Sequence, residues 1–266
     1  MLGAVIGDIA GSRFERNNCR SKNFEFLNEK CTFTDDTVMS LAVCDALLKS
    51  AGNRSSLPEQ AVISMQSLGR HYPDCGYGSR FGRWIFSESP QPYGSFGNGA
   101  AMRSSGCGWA ARTLEEAKSL SRAVTAVSHN HPDGLKGAEA EAACVYLART
   151  GASMQEIRGF FTENYYRIDF TLDSIRDSYE FDATCRGSVP QAFEAFFESD
   201  GYEDAVRNAI SIGGDSDTLA AVAGGVAEAY YGIPEKLRKR AVSFLDGRLL
   251  KILGRFEADY PPRILK

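Results

Sequence analysis

Apolar side chains recur along this chain at spacings of three and four residues, and strand-like alternation closed by hairpin turns does not. Leu2 to Ala10 reads as a short buried helix ending at Gly11, with Ser12 to Glu15 as a following loop. Residues 16–33 are polar and irregular, which suggests a mobile surface loop. Asp36 to Lys49 places Val38, Leu41, Ala42 and Leu48 as a buried helix would. Pro58 suits a first helical position after Ser55-Ser56, ahead of Val62, Met65 and Leu68. The stretch 73–98 is rich in Gly, Ser, Pro and aromatics. A loop of that length inside a domain is functional or disordered, and its aromatics, from Tyr77 to Phe96, argue against disorder.

Ala100 to Ala111 reads as helix, and Thr113 to Glu116 as a capping box for Ala117 to Val127. Ser128 to Pro132 breaks that helix, and Leu135 to Arg149 forms an Ala-rich one. A second capping box, Ser153 to Glu156, precedes Ile157, Phe160 and Phe161. Residues 167–187 give no clear pattern. Pro190 opens a helix carrying Phe193, Phe196 and Phe197, and Tyr202 to Ile210 forms another. Pro234 begins a last helix through Leu237, Val242, Leu245, Leu249 and Leu253. Together these predict an all-α protein, one compact multi-helix domain over 1–266, without linker or repeat.

The stretch Ser211 to Gly232 stands out within this pattern. Asp215 and Asp217 follow Gly213-Gly214, Thr218 comes next, and a run of Ala, Val and Gly continues as helix. Its small residues, Ala220, Ala221, Ala223, Gly224 and Gly225, predict close packing against neighbours. One of the two acids is enough to cap the helix. A second stretch, Thr34-Asp35-Asp36-Thr37, is placed the same way before Val38 to Lys49. Adjacent carboxylates repel and are costly to desolvate without a cation. Together with the Thr hydroxyls they are hard oxygen donors of the kind Mg²⁺, Mn²⁺ or Ca²⁺ takes. If the two helix mouths meet, they can hold two ions, about 3.5–4 Å apart in two-metal enzymes.

Net charge is −4, so no global basic field draws nucleic acid. At 43% hydrophobic over 266 residues the chain can bury a full core. Seven cysteines are scattered without a C-x-x-C, which fits free thiols in a reducing cytoplasm. The apolar start, Met1 to Gly11, is short, carries Asp8 and lacks a basic leader, so it does not read as a signal peptide. No apolar run approaches the roughly 18–20 residues of a membrane span.

His129 and His131 lie two apart before Pro132, without a third zinc ligand at suitable spacing. They either touch a substrate hydroxyl or phosphate, or are hydrogen-bonded within a turn. His71 reads as ordinary surface. Gly97-Asn98-Gly99 resembles the start of a dinucleotide fingerprint, but Met102 occupies the last glycine position and no strand precedes it. Its amides can bind phosphate, or the glycines serve a tight turn. Arg103 pairs with a phosphate or with a structural acid. Glu15 is either a solvated loop residue or an acid, base or metal contact folded over the site.

Five segments, in this order, resemble the ADP-ribosylglycohydrolase family: Gly7–Glu15 (GDIAGSRFE), Phe33–Met39 (FTDDT, Val38, Met39), Gly97–Arg103 (GNGAAMR), Ser128–Pro132 (SHNHP) and Gly213–Ala221 (GGDSDTLAA). The resemblance spans nearly the whole chain. It implies an all-α bundle with a cleft holding two Mg²⁺ (or Mn²⁺) ions, and cleavage of the glycosidic bond between ADP-ribose and an acceptor. Carried over by position, Thr34, Asp35, Asp36, Asp215, Asp217 and Thr218 are the metal ligands, and Glu15 sits on a flap over the ribose. Gly97, Asn98, Gly99 and Met102 line the diphosphate and ribose pocket, and His129 touches bound ADP-ribose. Asp36, Asp217 or Glu15 takes the proton from water, and aromatics of 77–96 stack on adenine.

The partners implied are an ADP-ribosylated protein or other ADP-ribosylated acceptor, with ADP-ribose as product, no membrane, and a monomeric enzyme. Two other readings compete. One is an inactive ADP-ribose-binding or crystallin-like structural relative, whose signature would be loss of a metal Asp; all four are present. The other is an unrelated two-metal phosphohydrolase, which would release AMP.

Overall fold

In the computed structural model, which describes residues 1–262 and the backbone of Ile264 and Leu265, the described chain is built from α-helices. In order they are α1 (Leu2–Gly11), α2 (Asp35–Lys49), α3 (Leu57–His71), α4 (Ser79–Phe86), α5 (Ser105–Ala110), α6 (Leu114–Thr125), α7 (Pro132–Arg149), α8 (Met154–Asn164), α9 (Leu172–Ile175), α10 (Cys185–Phe197), α11 (Tyr202–Ser211), α12 (Ser216–Tyr231), α13 (Glu235–Val242) and α14 (Gly247–Asp259). The only sheet among the described residues is a two-residue parallel pairing of Ile233–Pro234 with Ile264–Leu265.

The all-α expectation holds, and α12 is central. Every residue from Ser216 to Ala229 is buried, and α1, α7, α10 and α11 pack around it. The small residues act as predicted. A Cβ on Gly7 would lie 2.0 Å from the Ala220 carbonyl oxygen, one on Gly11 2.5 Å from Asp217 Cα, and one on Gly224 2.4 Å from the Gly3 carbonyl oxygen. No larger residue fits those contacts, so α1 and α12 meet backbone to backbone. This approach carries the last turn of α1 to the start of α12, where the acids are.

Several boundaries differ from the sequence reading. Residues 16–33 are anchored. Arg20 donates to the carbonyls of Ile212 and Tyr179, and Arg207 to those of Lys22 and Phe24, with its guanidinium 4.8 Å from the Phe24 ring centre. Within 73–98 lies α4, which buries Phe81, Trp84 and Ile85. Ala100 to Ala111 is helical only from Ser105; Asn98–Ala100 forms a 3-10 turn, because the Gly97 carbonyl takes the Ala100 amide and the Asn98 carbonyl the Ala101 amide, each three residues on. Pro132 is the first residue of α7, and His131 caps it.

Pro190 lies inside α10, which starts at Cys185 behind the Thr184 cap. The donor that proline lacks would have faced the carbonyl of Arg186, an exposed residue that water can reach. The last predicted helix is two, because Asp246 restarts the chain by accepting from Arg248 and Leu249 amides. The Ser153 box closes fully. At Thr113 only half of it forms, since Glu116 accepts the amide of Arg112 instead.

Candidate active site

Three helix ends converge: the C-terminal turn of α1 and the N-termini of α2 and α12. Thr34 caps α2, its hydroxyl accepting from the Asp36 amide at 3.3 Å. Asp8, wholly buried in the last turns of α1, takes the Thr34 amide at 2.9 Å, the Thr34 hydroxyl at 2.7 Å and the Thr37 amide at 3.0 Å. Asp8 thus fixes the turn that presents Asp35 and Asp36. The sequence reading used Asp8 only to argue against a signal peptide. Its signal was a lone carboxylate in an otherwise apolar helix, since unpaired acids are seldom fully buried.

Asp215 occupies the cap position of α12, yet its side chain makes no capping bond. It accepts instead from Asn98 Nδ2 at 2.7 Å. Thr218 Oγ1 donates to Asp36 Oδ2 at 3.3 Å, joining the two acid turns. Gly213 and Gly214 both have φ of +73°, which only glycine adopts readily, so the backbone can turn Asp215 and Asp217 into the cleft. Asn18 braces this turn. Its carboxamide accepts from the Gly214 amide at 2.9 Å and donates to the Gly214 and Glu15 carbonyls at 3.1 Å each. Sequence reasoning passed over Asn18 as loop polarity. Glu15 is thus a half-buried wall of the pocket, its backbone joined to the Gly214 turn through Asn18.

Thr34, Asp35, Asp36, Asp215, Asp217, Thr218 and Glu15 all line one pocket of about 480 Å³. Burial raises the carboxyl pKa of Asp36 and Asp217 well above the usual range, and the facing acids raise them further, Asp217 foremost for Asp36 and Asp215 foremost for Asp217. Burial, then Asp8 and Asp215, pushes Asp35 up to about 8. Asp8, Asp215 and Glu15 are also raised, chiefly by burial. Among the described residues no Lys or Arg forms an ion pair with any of these acids.

Asp36 Oδ1 and Thr37 Oγ1 are buried without a hydrogen-bond partner. No three Asp, Glu, His or Cys side chains among the described residues converge on one point as a bound ion requires. The fit to a divalent cation therefore rests on the donors: all oxygen, mostly carboxylate, uncompensated, with one oxygen unpartnered.

A raised carboxyl pKa has a sign in folding. Between the unfolded value, 3.8 for Asp35, and the folded value near 8, the folded chain binds the extra proton, so stability falls as pH rises through that window. Chelator-treated protein is expected to melt at a higher temperature at pH 5 than at pH 8, and added Mg²⁺ to raise the melting temperature more at pH 8. Differential scanning fluorimetry across that range checks it; a profile that climbs toward pH 8 without cation would contradict the assignment.

Next to Asp215, the Gly97–Asn98–Gly99 turn forms a further wall, hung on the 183–185 segment. The Asn98 amide donates to the Ala183 carbonyl at 2.8 Å and the Cys185 amide to the Phe96 carbonyl at 3.0 Å. Gly97, Asn98, Gly99 and Met102 all line the pocket. His129 stands behind the turn. Its Nδ1 lies 3.3 Å from Arg103 Nη2 and 2.9 Å from Ser128 Oγ. A guanidinium only donates, so Nδ1 accepts and the proton sits on Nε2. Nε2 is the atom beside Gly97 and Gly99, 3.4 Å from where a Gly99 Cβ would stand. Burial, then Arg103 and Arg80, lowers the His129 pKa well below its ordinary value, so the ring is a neutral donor facing the turn.

Arg103 is fully buried and pairs with no acid; it donates to Ser128 and lies 5.2 Å from the centre of the Phe81 ring. Its Nε and Nη1 are buried without partners, and burial lowers its pKa to about 10. His131 parts company with His129: it caps α7, its ring accepting the Asp133 amide at 3.1 Å, and meets Phe96 edge-on. His71 is exposed, as read.

The pocket also takes in Arg80, Phe81, Tyr93 and Phe181, which sequence reasoning did not single out. The first three come from the aromatic segment, whose density was the available signal; Phe181 lies in the stretch without pattern.

The chain belongs to the ADP-ribosylglycohydrolase family, which it matches over residues 1–260. It is similar to ADP-ribosylhydrolase ARH3 of Mus musculus, at 24% identity over 92% of this chain and 86% of that protein. It is likewise similar to the ADP-ribosyl-[dinitrogen reductase] glycohydrolase of Rhodospirillum rubrum, at 28% identity over 88% of this chain and 85% of that one. A solved ADP-ribosylglycohydrolase-related protein complex shares the fold, with a TM-score of 0.65 and 23% identity over 97% of this chain and 92% of its own. No helix among the described residues is long and apolar enough to cross a membrane.

Proposed function

We propose that this protein, acting as one domain over residues 1–266, is a divalent-cation-dependent hydrolase that releases ADP-ribose from an ADP-ribosylated acceptor. The observation that carries the reading is the make-up of the pocket. Five carboxylates line it beside the Gly97–Gly99 turn, a neutral His129 and a buried, unneutralised Arg103. The carboxylates suit cations and ribose hydroxyls, and Arg103 and the His129 Nε2–H suit a diphosphate.

Thr34, Asp35, Asp36, Asp215, Asp217 and Thr218 would hold two Mg²⁺ or Mn²⁺ ions, with Asp8 and Asn18 setting the two turns. When bound, the ions supply positive charge that orients the ribose hydroxyls and favours ionisation of water. Asn98 positions Asp215, and His129 Nε2–H donates to a substrate oxygen. Glu15, Asp36 or Asp217 accepts the proton of the attacking water. The bond from the ribose anomeric carbon to the acceptor breaks, the water oxygen bonds to that carbon, and a proton goes to the acceptor. Neighbouring carboxylates stabilise the oxocarbenium character in between. The free cysteines suit a reducing compartment such as the cytoplasm.

The test is incubation with Mg²⁺ and a panel of arginine-, serine-, nucleobase- and phosphate-linked ADP-ribose in ¹⁸O-water, read by mass spectrometry. Free ADP-ribose carrying ¹⁸O on the released ribose is expected, from one linkage preferentially, and excess EDTA is expected to abolish it. Labelled AMP would instead assign a phosphohydrolase. Binding without turnover of any substrate would assign an inactive relative, and full turnover by metal-free protein would remove the cation from the reading.

A further inference from the structure

Of the acids gathered at the converging helix ends, Asp8 alone does not line the pocket. It is wholly buried behind the turn that begins α2, and both its oxygens are engaged. Oδ2 accepts the backbone amides of Thr34 and Thr37, at 2.9 and 3.0 Å. Oδ1 accepts the Thr34 hydroxyl at 2.7 Å. A hydroxyl has one proton and two lone pairs. The Thr34 proton goes to Asp8, and one lone pair faces the Asp36 amide at 3.3 Å. What remains is a single lone pair, on a residue that lines the pocket. Thr34 can therefore only accept there, which is what a cation ligand must do.

The direction of that proton depends on Asp8 being a carboxylate. In Asp8→Asn the two backbone amides still need an oxygen, so the new NH₂ group takes the place of Oδ1 and donates to Thr34. Both Thr34 lone pairs are then engaged, by that NH₂ and by the Asp36 amide, and the hydroxyl proton is turned out, where it repels a cation. The backbone turn keeps both of its amide bonds.

We propose that Asp8 is a positioning residue that acts on a bound cation through Thr34, by holding the Thr34 hydroxyl proton away from the pocket. The role rests on the proposed function, and it is separate from the support that Asp8 gives to the backbone of the turn.

Calorimetric titration of the metal-free protein with Mg²⁺ at neutral to mildly alkaline pH tests it, with melting of the metal-free forms as a second readout. Asp8→Asn is expected to bind Mg²⁺ about 10- to 100-fold more weakly, the range for a group behind a metal ligand. Thr34→Ala is expected to lose a similar factor, and Thr34→Ser, which keeps the hydroxyl, to retain most of the affinity. With no hydroxyl to turn, Asp8→Asn in the Thr34→Ala background is expected to cost only a few-fold more. Metal-free Asp8→Asn is expected to melt no lower than the wild type, because the amide bonds remain and a negative charge beside the other acids is removed. Wild-type affinity in Asp8→Asn or in Thr34→Ala would overturn the role. So would an equal loss from Asp8→Asn with and without the Thr34 hydroxyl, which would mean that Asp8 acts by charge alone. A metal-free melting temperature many degrees lower would return Asp8 to supporting the backbone turn. Each of these results leaves the proposed function standing, whereas a wild type that binds neither Mg²⁺ nor Mn²⁺ would remove the cation from that function and this role with it.

Discussion

Asp36→Ala is expected to lower turnover by more than about 10³-fold, beyond the loss from a single transition-state donor, while the metal-free protein melts at the same temperature or higher. Asp36 is buried, its Oδ1 has no partner, and it faces Asp217, Asp8, Asp35 and Asp215. An uncompensated buried carboxylate costs up to several kcal/mol. What alanine forfeits is smaller: one 3.3 Å hydrogen bond from Thr218 and an interaction with the α2 dipole of up to about 1 kcal/mol. Relief of repulsion wins in the absence of a cation, and loss of a ligand wins in its presence. The added stability that Mg²⁺ gives the wild type should therefore shrink in the variant. Asp217→Ala should behave alike. Turnover and metal-free melting are to be measured on the same preparations. A fall of many degrees in melting with normal specific activity in the folded fraction would return Asp36 to a structural role.

Glu15→Gln is expected to lower turnover by roughly 10²–10⁴-fold, the range for a lost general acid or base, with affinity for ADP-ribose changed only a few-fold. Glu15 lines the pocket with the acid turns, and burial and Asp215 raise its pKa, which brings a carboxyl nearer to neutrality where it can exchange a proton. Asn18 ties its backbone to Gly214, which places Glu15 at the wall beside the Asp215 turn. From that backbone position the length of the side chain matters. Glu15→Asp, a methylene shorter, should give a partial loss. Equal losses in binding and turnover would make Glu15 a substrate or metal contact, and wild-type turnover in Glu15→Gln would make it a bystander.

Much of the fold was legible because helices are local. Spacing at three and four residues, the Ser153 box and the cap chemistry before α2 depend on a few neighbouring residues. Where the reading failed, a distant partner decided. The segment 16–33 looked free because its polar residues have no local partners, yet Arg207 of α11 and the carbonyls around Tyr179 anchor it. The start of α10 escaped notice because Pro190 was the louder signal, while Cys185 is fixed by the carbonyl of Phe96. α4 was hidden by the Gly and Pro around it.

The candidate site divides in the same way. By itself the sequence determined the ingredients: two Thr-and-Asp turns at helix starts, a Gly-Gly pair that permits φ of +73°, and a Gly-Asn-Gly turn before an arginine. It also left open whether each acid was a cap and each histidine a contact. Tertiary structure decided where each of these side chains stands. It brought α2 and α12 together through Thr218 and Asp36, gave Asp215 to Asn98 instead of to its own helix, turned His129 toward the pocket and left His131 as a cap. It also showed that Asp8, on α1, builds the Asp35–Asp36 turn. The physical reason is that hydrogen bonds within a helix turn are fixed by residues three or four apart. The meeting of these carboxylates depends instead on α1 and α12 approaching backbone to backbone, across more than 200 residues of sequence, where the glycines leave room.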